Sequence, residues 1–263
     1  MSLKIFIHNL FEPIYFFLSK YYSKLTYIRH YDDFKKKIIN KDIYIIGAGP
    51  SLNNFRINKV KNSTFILING SYEIHNKIKK NNTIFFTTTD VKRIHDFIHK
   101  LPKKIKCIVS TSKYRGVIDL IISKNKILYF HPKASVVLKT FNFMSVLQGK
   151  FPIFCPKVLA LPIKNLENLL SKNTITNPGS TSMLTILIII MKMSPKSINL
   201  VGFDMGKIKN KHYANLKFYQ NNKTGFNKKD LKNTKIILKE ILINLNKKNI
   251  KFKNYSSFNI DKK

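Results

Sequence analysis

The chain reads as an α/β protein built on a doubly wound, mostly parallel sheet, with an amphipathic helical segment ahead of the sheet and a lid insertion within it. Three observations predict this. Short apolar runs, beginning with Ile43–Ile46, alternate with segments of helical periodicity, and strands separated by helices pair in parallel. The first run ends in Gly47-Ala48-Gly49-Pro50-Ser51-Leu52. Two glycines there allow a sharp turn, proline pre-sets φ where a helix starts, and Ser51 is placed to cap that start. Late in the chain a second run, Ser197–Val201, ends in Gly202-Phe203-Asp204.

Taken in order, residues 1–40 form a segment of their own. Leu3, Phe6, Ile7, Leu10, Ile14, Phe17, Leu18, Tyr21, Leu25 and Ile28 recur at spacings of three and four, the period of one helix face. Pro13 kinks or splits that helix. Polar residues interrupt it too often for a membrane span. Two readings fit: an in-plane helix on an anionic membrane surface, or a helix packed on the domain or on a second copy of the chain.

Residues 41–263 form one Rossmann-like domain. Strands are expected at Ile43–Ile46, Thr64–Ile68, Thr83–Phe86, Ile105–Ser110 and Ile127–Phe130, with helices near Asn53–Val60, Tyr72–Ile78 and Lys92–Leu101. Residues 131–170, broken by Pro132, Pro152, Pro156 and Pro162, read as an irregular lid. Met183–Met193 carries the run Met-Leu-Thr-Ile-Leu-Ile-Ile-Ile-Met, apolar on every side, so that helix is expected to be buried all round. Residues 206–229 are polar and read as a mobile second lid region, before a helix at Lys229–Asn246 and a closing strand at Ile250–Phe252.

Composition narrows the classes. A length of 263 residues suits one domain with a sizeable core, and 44% hydrophobic residues argues against disorder. Cys107 and Cys155 fit no metal or redox spacing and read as buried thiols of a reducing, cytoplasmic compartment, with no secretory signal expected. The net charge of +35 attracts polyanions, including the inner face of a membrane. Its lysines are spread among Ile and Asn throughout, so compositional drift explains it equally well. No zinc-ligand set, aromatic RNA-binding strand or Arg-rich recognition helix is present, and no specific nucleic acid is expected.

Open α/β sheets bind ligands at the carboxyl ends of their strands, so polar residues at those ends are the candidates. They are Gly47 to Ser51 after the first strand, Asn69-Gly70-Ser71 after the second, and Thr87-Thr88-Thr89-Asp90 after the third. Asn69 suits a pyrimidine edge or a ribose hydroxyl, or merely tolerates a turn beside glycine. Gly179-Ser180-Thr181-Ser182 opens the apolar helix, where unpaired N–H groups favour an anion; simple N-capping is the alternative. Gly202-Phe203-Asp204 is followed by His212-Tyr213. An imidazole can take an alcohol proton near neutral pH, and a tyrosine hydroxyl can bond a departing phosphate. A solvent-exposed His212 with no role is the plain alternative.

The order Gly-x-Gly-Pro-Ser-Leu, an Asn after the second strand, Ser-Thr-Ser opening an apolar helix, Gly-Phe-Asp and then Tyr-Ala resembles the bacterial sialyltransferases of glycosyltransferase family 42. It is also similar to the motility-associated-factor-like proteins that glycosylate flagellin. The resemblance implies a metal-independent, inverting transferase with no cofactor beyond its CMP-activated sugar donor, a nonulosonic acid such as sialic acid. It places Gly47, Ala48, Gly49, Pro50, Ser51, Asn69, Thr88, Phe203 and Asp204 around the donor nucleotide, and Ser180, Thr181 and Ser182 at the donor sugar's carboxylate. Tyr213 would bond the leaving phosphate, and a glycan on lipid or protein would be the acceptor. Two positions depart from the family pattern. Ala48 stands where an Asn is usual, and no histidine lies near Gly225–Asp230, so His212 or Asp230 supplies the base, or the chain is an inactive member. A pterin pyrophosphokinase, which needs Mg²⁺ and paired carboxylates, is the rival enzyme; a basic membrane- or nucleic-acid-binding protein on the same frame is the non-enzymatic rival.

Overall fold

The structure, a computed structural model, describes residues 33–88, 96–97, 100–102, 105–109, 127–129, 182–204, 213–217 and 228–258. Seven strands build one sheet: β1 (Asp42–Ile46), β2 (Thr64–Ile68), β3 (Thr83–Thr88), β4 (Lys106–Val109), β5 (Ile127–Tyr129), β6 (Ser197–Val201) and β7 (Lys251–Asn254). All are parallel, in the order β5-β4-β3-β2-β1-β6-β7. The chain starts in mid-sheet, steps outward to β5, then returns to lay β6 on the free side of β1. That reversal makes the sheet doubly wound and Rossmann-like.

Alternation along the strands supplies two cores. Ile43, Ile45, Ile66, Ile68, Phe85, Ile198 and Leu200 face one side. There they meet helix α1 (Ser182–Met191), the inner stripe Ile237, Leu238, Ile241 and Leu245 of helix α2 (Lys228–Lys247), and Phe34 and Ile38 of a helical stretch over 33–38. Ile46, Phe65, Leu67 and Val201 face the other side and pack on Leu52, Ile57, Ile74, Ile78, Ala214 and Leu216. All ten residues of α1 are buried, as its uniform apolarity requires.

The cover on that second side differs from expectation. The segments read as α-helices near Asn53–Val60 and Tyr72–Ile78 are 3-10 turns over Pro50–Asn54, Ile57–Lys59 and Asn69–Lys77. They are short and rich in Asn, Gly and Ser, poor helix formers, and the tighter 3-10 turn suits such brief connections. Of the expected helix Lys92–Leu101, residues 96–97 are helical, Lys100 and Leu101 form a turn whose N–H groups both donate to the Phe97 carbonyl, and residues 92–95 and 98–99 lie outside the described residues. Within the expected mobile stretch 206–229, residues 213–217 are tied down: Ala214 N–H donates to the Ala48 carbonyl at 2.7 Å, and Ala214 and Leu216 are buried. Residues 1–32, 131–170, 206–212 and 218–227, with Cys155, lie outside the described residues.

Cys107 is buried, and burial pushes its thiol pKa up. Among the described residues no helix is long and apolar enough to cross a membrane.

Candidate functional site

The ladder between β1 and β6 continues past both strands. Gly47 N–H donates to the Val201 carbonyl and Gly49 N–H to the Gly202 carbonyl, each at 2.7 Å. The connections that follow lie on opposite faces of the sheet, the 3-10 turns after β1 on one and α2 after β6 on the other, and doubly wound sheets hold ligands at such a switch point. The glycines are dictated by this contact. A Cβ on Gly49 would lie 2.7 Å from the Gly202 oxygen and would also strike Asp204 Oδ2. Gly202 itself has φ +76°, and a Cβ there would lie 2.5 Å from the Gly47 oxygen. At both positions a backbone atom is among the clashes, so moving a side chain alone cannot relieve them.

Ser51 departs from its expected capping role. The cap position is Gly49, and no side chain caps the 3-10 turn. Instead the Ser51 N–H donates to Asp204 Oδ2 at 2.8 Å, while Ser51 Oγ is buried with no hydrogen-bond partner among the described residues. Pro50 beside it is buried. The other carboxylate oxygen of Asp204 accepts from the N–H of Ser257 at 2.8 Å and its hydroxyl at 2.7 Å. Asp204 is thus enclosed by three donors. Phe203, partly buried against the core, donates its N–H to Ser256 Oγ at 2.8 Å.

The end of β2 lies against the same loop. The Ser71 hydroxyl sits 2.8 Å from the Ile46 carbonyl and 2.9 Å from that of Ile68, so it pins the ends of β1 and β2 together. Asn69, between them and the rim, adopts φ 53°, a left-handed conformation that asparagine tolerates. Its Oδ1 is buried and has no partner among the described residues. Two oxygen atoms on adjacent strand ends therefore stand unsatisfied. Thr88 ends β3, fully buried and two strands from β1.

Ser182 reaches the same rim from another direction. The turn after α1 bonds Asn40 N–H to the Ser194 carbonyl at 3.1 Å, just ahead of β1, which fixes the far end of α1 at the sheet's amino edge. Ten helical residues rise about 15 Å, close to the length of a five-residue strand, so Ser182 stands at the carboxyl edge. It is buried. Tyr213 is half-buried beside the Gly47–Ser51 loop, since Ala214 bonds Ala48 and Asn215 N–H donates to Asn53 Oδ1 at 3.2 Å. Ser180, Thr181, His212 and the side chain of Asp230 lie outside what the structure describes. Among the described residues no three His, Cys, Asp or Glu side chains gather as a metal site would require.

Sequence reasoning missed Ser256 and Ser257. They follow the closing strand, where nothing local signals a role, and only the fold brings them to Asp204.

No protein-family model matches this chain, and no curated protein does. Among solved structures, the chain is similar to the monofunctional alpha-2,3-sialyltransferase Cst-I from Campylobacter jejuni, at 13% identity and a TM-score of 0.40, over 85% of this chain and 82% of that one. A likeness of that size transfers no residue role.

Proposed function

We propose that the chain is a glycosyltransferase moving a nonulosonic acid from a CMP-activated donor to a glycan on lipid or protein, with inversion and without a metal. The observation that carries this is the pair of buried oxygens without a partner among the described residues, Ser51 Oγ and Asn69 Oδ1, just past the carboxyl ends of the adjacent strands β1 and β2. An unmet buried polar atom costs about 1–3 kcal/mol. A ligand offering N–H or O–H groups to both recovers that, and a cytidine nucleotide carries an exocyclic amine and ribose hydroxyls. Ser182 at the rim end of α1 suits the donor's carboxylate. Tyr213 stands beside the Gly47–Ser51 loop, where its hydroxyl would donate to a departing phosphate.

In the reaction the acceptor oxygen bonds the anomeric carbon from one face. Its proton passes to His212, and CMP departs from the opposite face with the bonding electron pair on its phosphate oxygen. The Tyr213 hydroxyl donates to that oxygen as charge develops, the usual place for the largest catalytic term. Asp204 keeps the loop in shape.

The test is calorimetric titration with CMP, Mg·ATP and single-stranded DNA, followed by CMP-sugar hydrolysis. CMP alone is expected to bind. Asn69→Gly, which keeps the backbone conformation but removes Oδ1, should weaken CMP about tenfold, the worth of one good hydrogen bond. Tyr213→Phe should cut turnover about 10²–10³-fold with little change in KM. Binding of Mg·ATP in preference to CMP would favour the pyrophosphokinase instead.

A further inference from the structure

The chain beyond β7 builds a compact turn of its own against the loop that follows β6. Tyr255 N–H donates to the Leu200 carbonyl at 2.8 Å, which carries the β6–β7 ladder one residue further. Asn254 then closes a tight turn with one side chain: its Oδ1 accepts from Ser256 N–H at 3.0 Å, and its Nδ2 donates to the Phe258 carbonyl at 2.7 Å. Phe258 is buried in the core, with the Lys235 ammonium of α2 5.4 Å from its ring centre. So anchored at both ends, the turn presents Ser256 to Phe203 and Ser257 to Asp204.

We infer that Tyr255–Phe258 is a strap on the site, and that Ser257 is a positioning residue that acts through Asp204 to set the place of Ser51. The role in binding rests on the donor-site reading above; the mechanical link does not. That link runs through a single carboxylate. Ser257 holds Oδ1 from one side with two donors, and Ser51 N–H holds Oδ2 from the other. With both oxygens held, the carboxylate plane cannot turn without breaking a bond, and hydrogen bonds to an ionised acceptor are the strong ones. Gly49, lacking a Cβ, lets Asp204 lie flush against the turn. Ser51 Oγ, with no partner among the described residues, is thereby aimed by its own backbone, which Asp204 fixes.

The link is tested by amide exchange at Ser51, followed by NMR, in the full chain and in Ser257→Ala, Ser257→Thr and Asp204→Asn. An asparagine cannot accept hydrogen bonds on both sides. Exchange at Ser51 is expected to quicken about tenfold in Ser257→Ala and Asp204→Asn, the size of one charge-assisted bond. It should return toward wild type in Ser257→Thr, and the β1 amides Ile43–Ile46 should stay slow throughout. CMP affinity should follow the same order. Unchanged exchange at Ser51 in Asp204→Asn overturns the strap. So does equal acceleration across β1, which signals general loosening. Should the wild-type chain fail to bind CMP, the donor-site reading falls, and the strap is decided by exchange alone.

Discussion

Gly202 is where the two strand ends depend on a single residue. Its φ of +76° is one that side chains rarely adopt, and a Cβ would press on the Gly47 carbonyl. A non-glycine residue held in that region costs about 1–3 kcal/mol before any clash is counted. Gly202→Ala should therefore lower unfolding free energy by about 2 kcal/mol or more, read from the urea midpoint; a loss below about 0.5 kcal/mol would show that the β1 and β6 loops can part freely. The glycines were legible in the sequence as turn formers, but their cause was not. Sequence suggested room for a ligand, whereas the close neighbour is another backbone more than 150 residues away, as the 153-residue gap between Ser51 and Asp204 illustrates. Asp204 is the sharper case. Its place after β6 marked it as a site residue, yet the donors that enclose it sit at Ser51 and Ser257, positions that no local pattern connects.

Helix α1 shows what one element can be asked to do. A helix apolar on every side needs cover on every side, and the face of β1, β2, β3 and β6 with the inner stripe of α2 provides it. Leu187, with no exposed surface, sits mid-helix. Leu187→Ala should cost about 2–5 kcal/mol, transfer and cavity together, without changing the denaturant slope. A cost under 1 kcal/mol would mean that α1 is loosely packed and Ser182 poorly placed. This helix was legible because burial all round leaves a continuous apolar run. The central strands β1, β2, β3 and β6 were legible for the same reason, since parallel strands covered on both faces carry few polar interruptions, whereas the edge strand β7, Lys-Phe-Lys-Asn, alternates exposed and half-buried residues. The 3-10 segments were not legible. Ile57 and Val60 fall three apart, a spacing that an α-helix and a 3-10 turn share, and Ile74 and Ile78 fall four apart, the α-helical spacing, so only the tertiary fit chooses between them. Strand order was also beyond local pattern, because β6 is drawn to β1 across most of the chain.

At the scale of the whole molecule, charge sets the condition under which all of this holds. With 48 basic residues against 13 acidic ones, most cations have no acidic residue to pair with. The described ion pairs, Lys106 with Asp33 at 3.7 Å and Lys196 with Asp42 at 3.5 Å, lie at or near the surface, where such pairs contribute about 0–1 kcal/mol. Exposed lysines such as Lys41, Lys61 and Lys79 precede β1, β2 and β3, and Lys251 and Lys253 lie on the edge strand β7. Self-repulsion among them opposes the compact state and eases as ions screen it. The screening length falls from about 30 Å at 0.01 M salt to about 10 Å at 0.1 M, from the span of the domain to the spacing of neighbouring side chains. The melting temperature should therefore climb by several degrees over that interval of sodium chloride and then level off. Sulfate or phosphate at matched ionic strength should raise it further only if anions also settle at particular sites. A melting temperature flat or falling between 0.01 and 0.1 M would mean that the lysines are already balanced by the fold, and that the charge reflects coding bias with no electrostatic consequence for the folded chain.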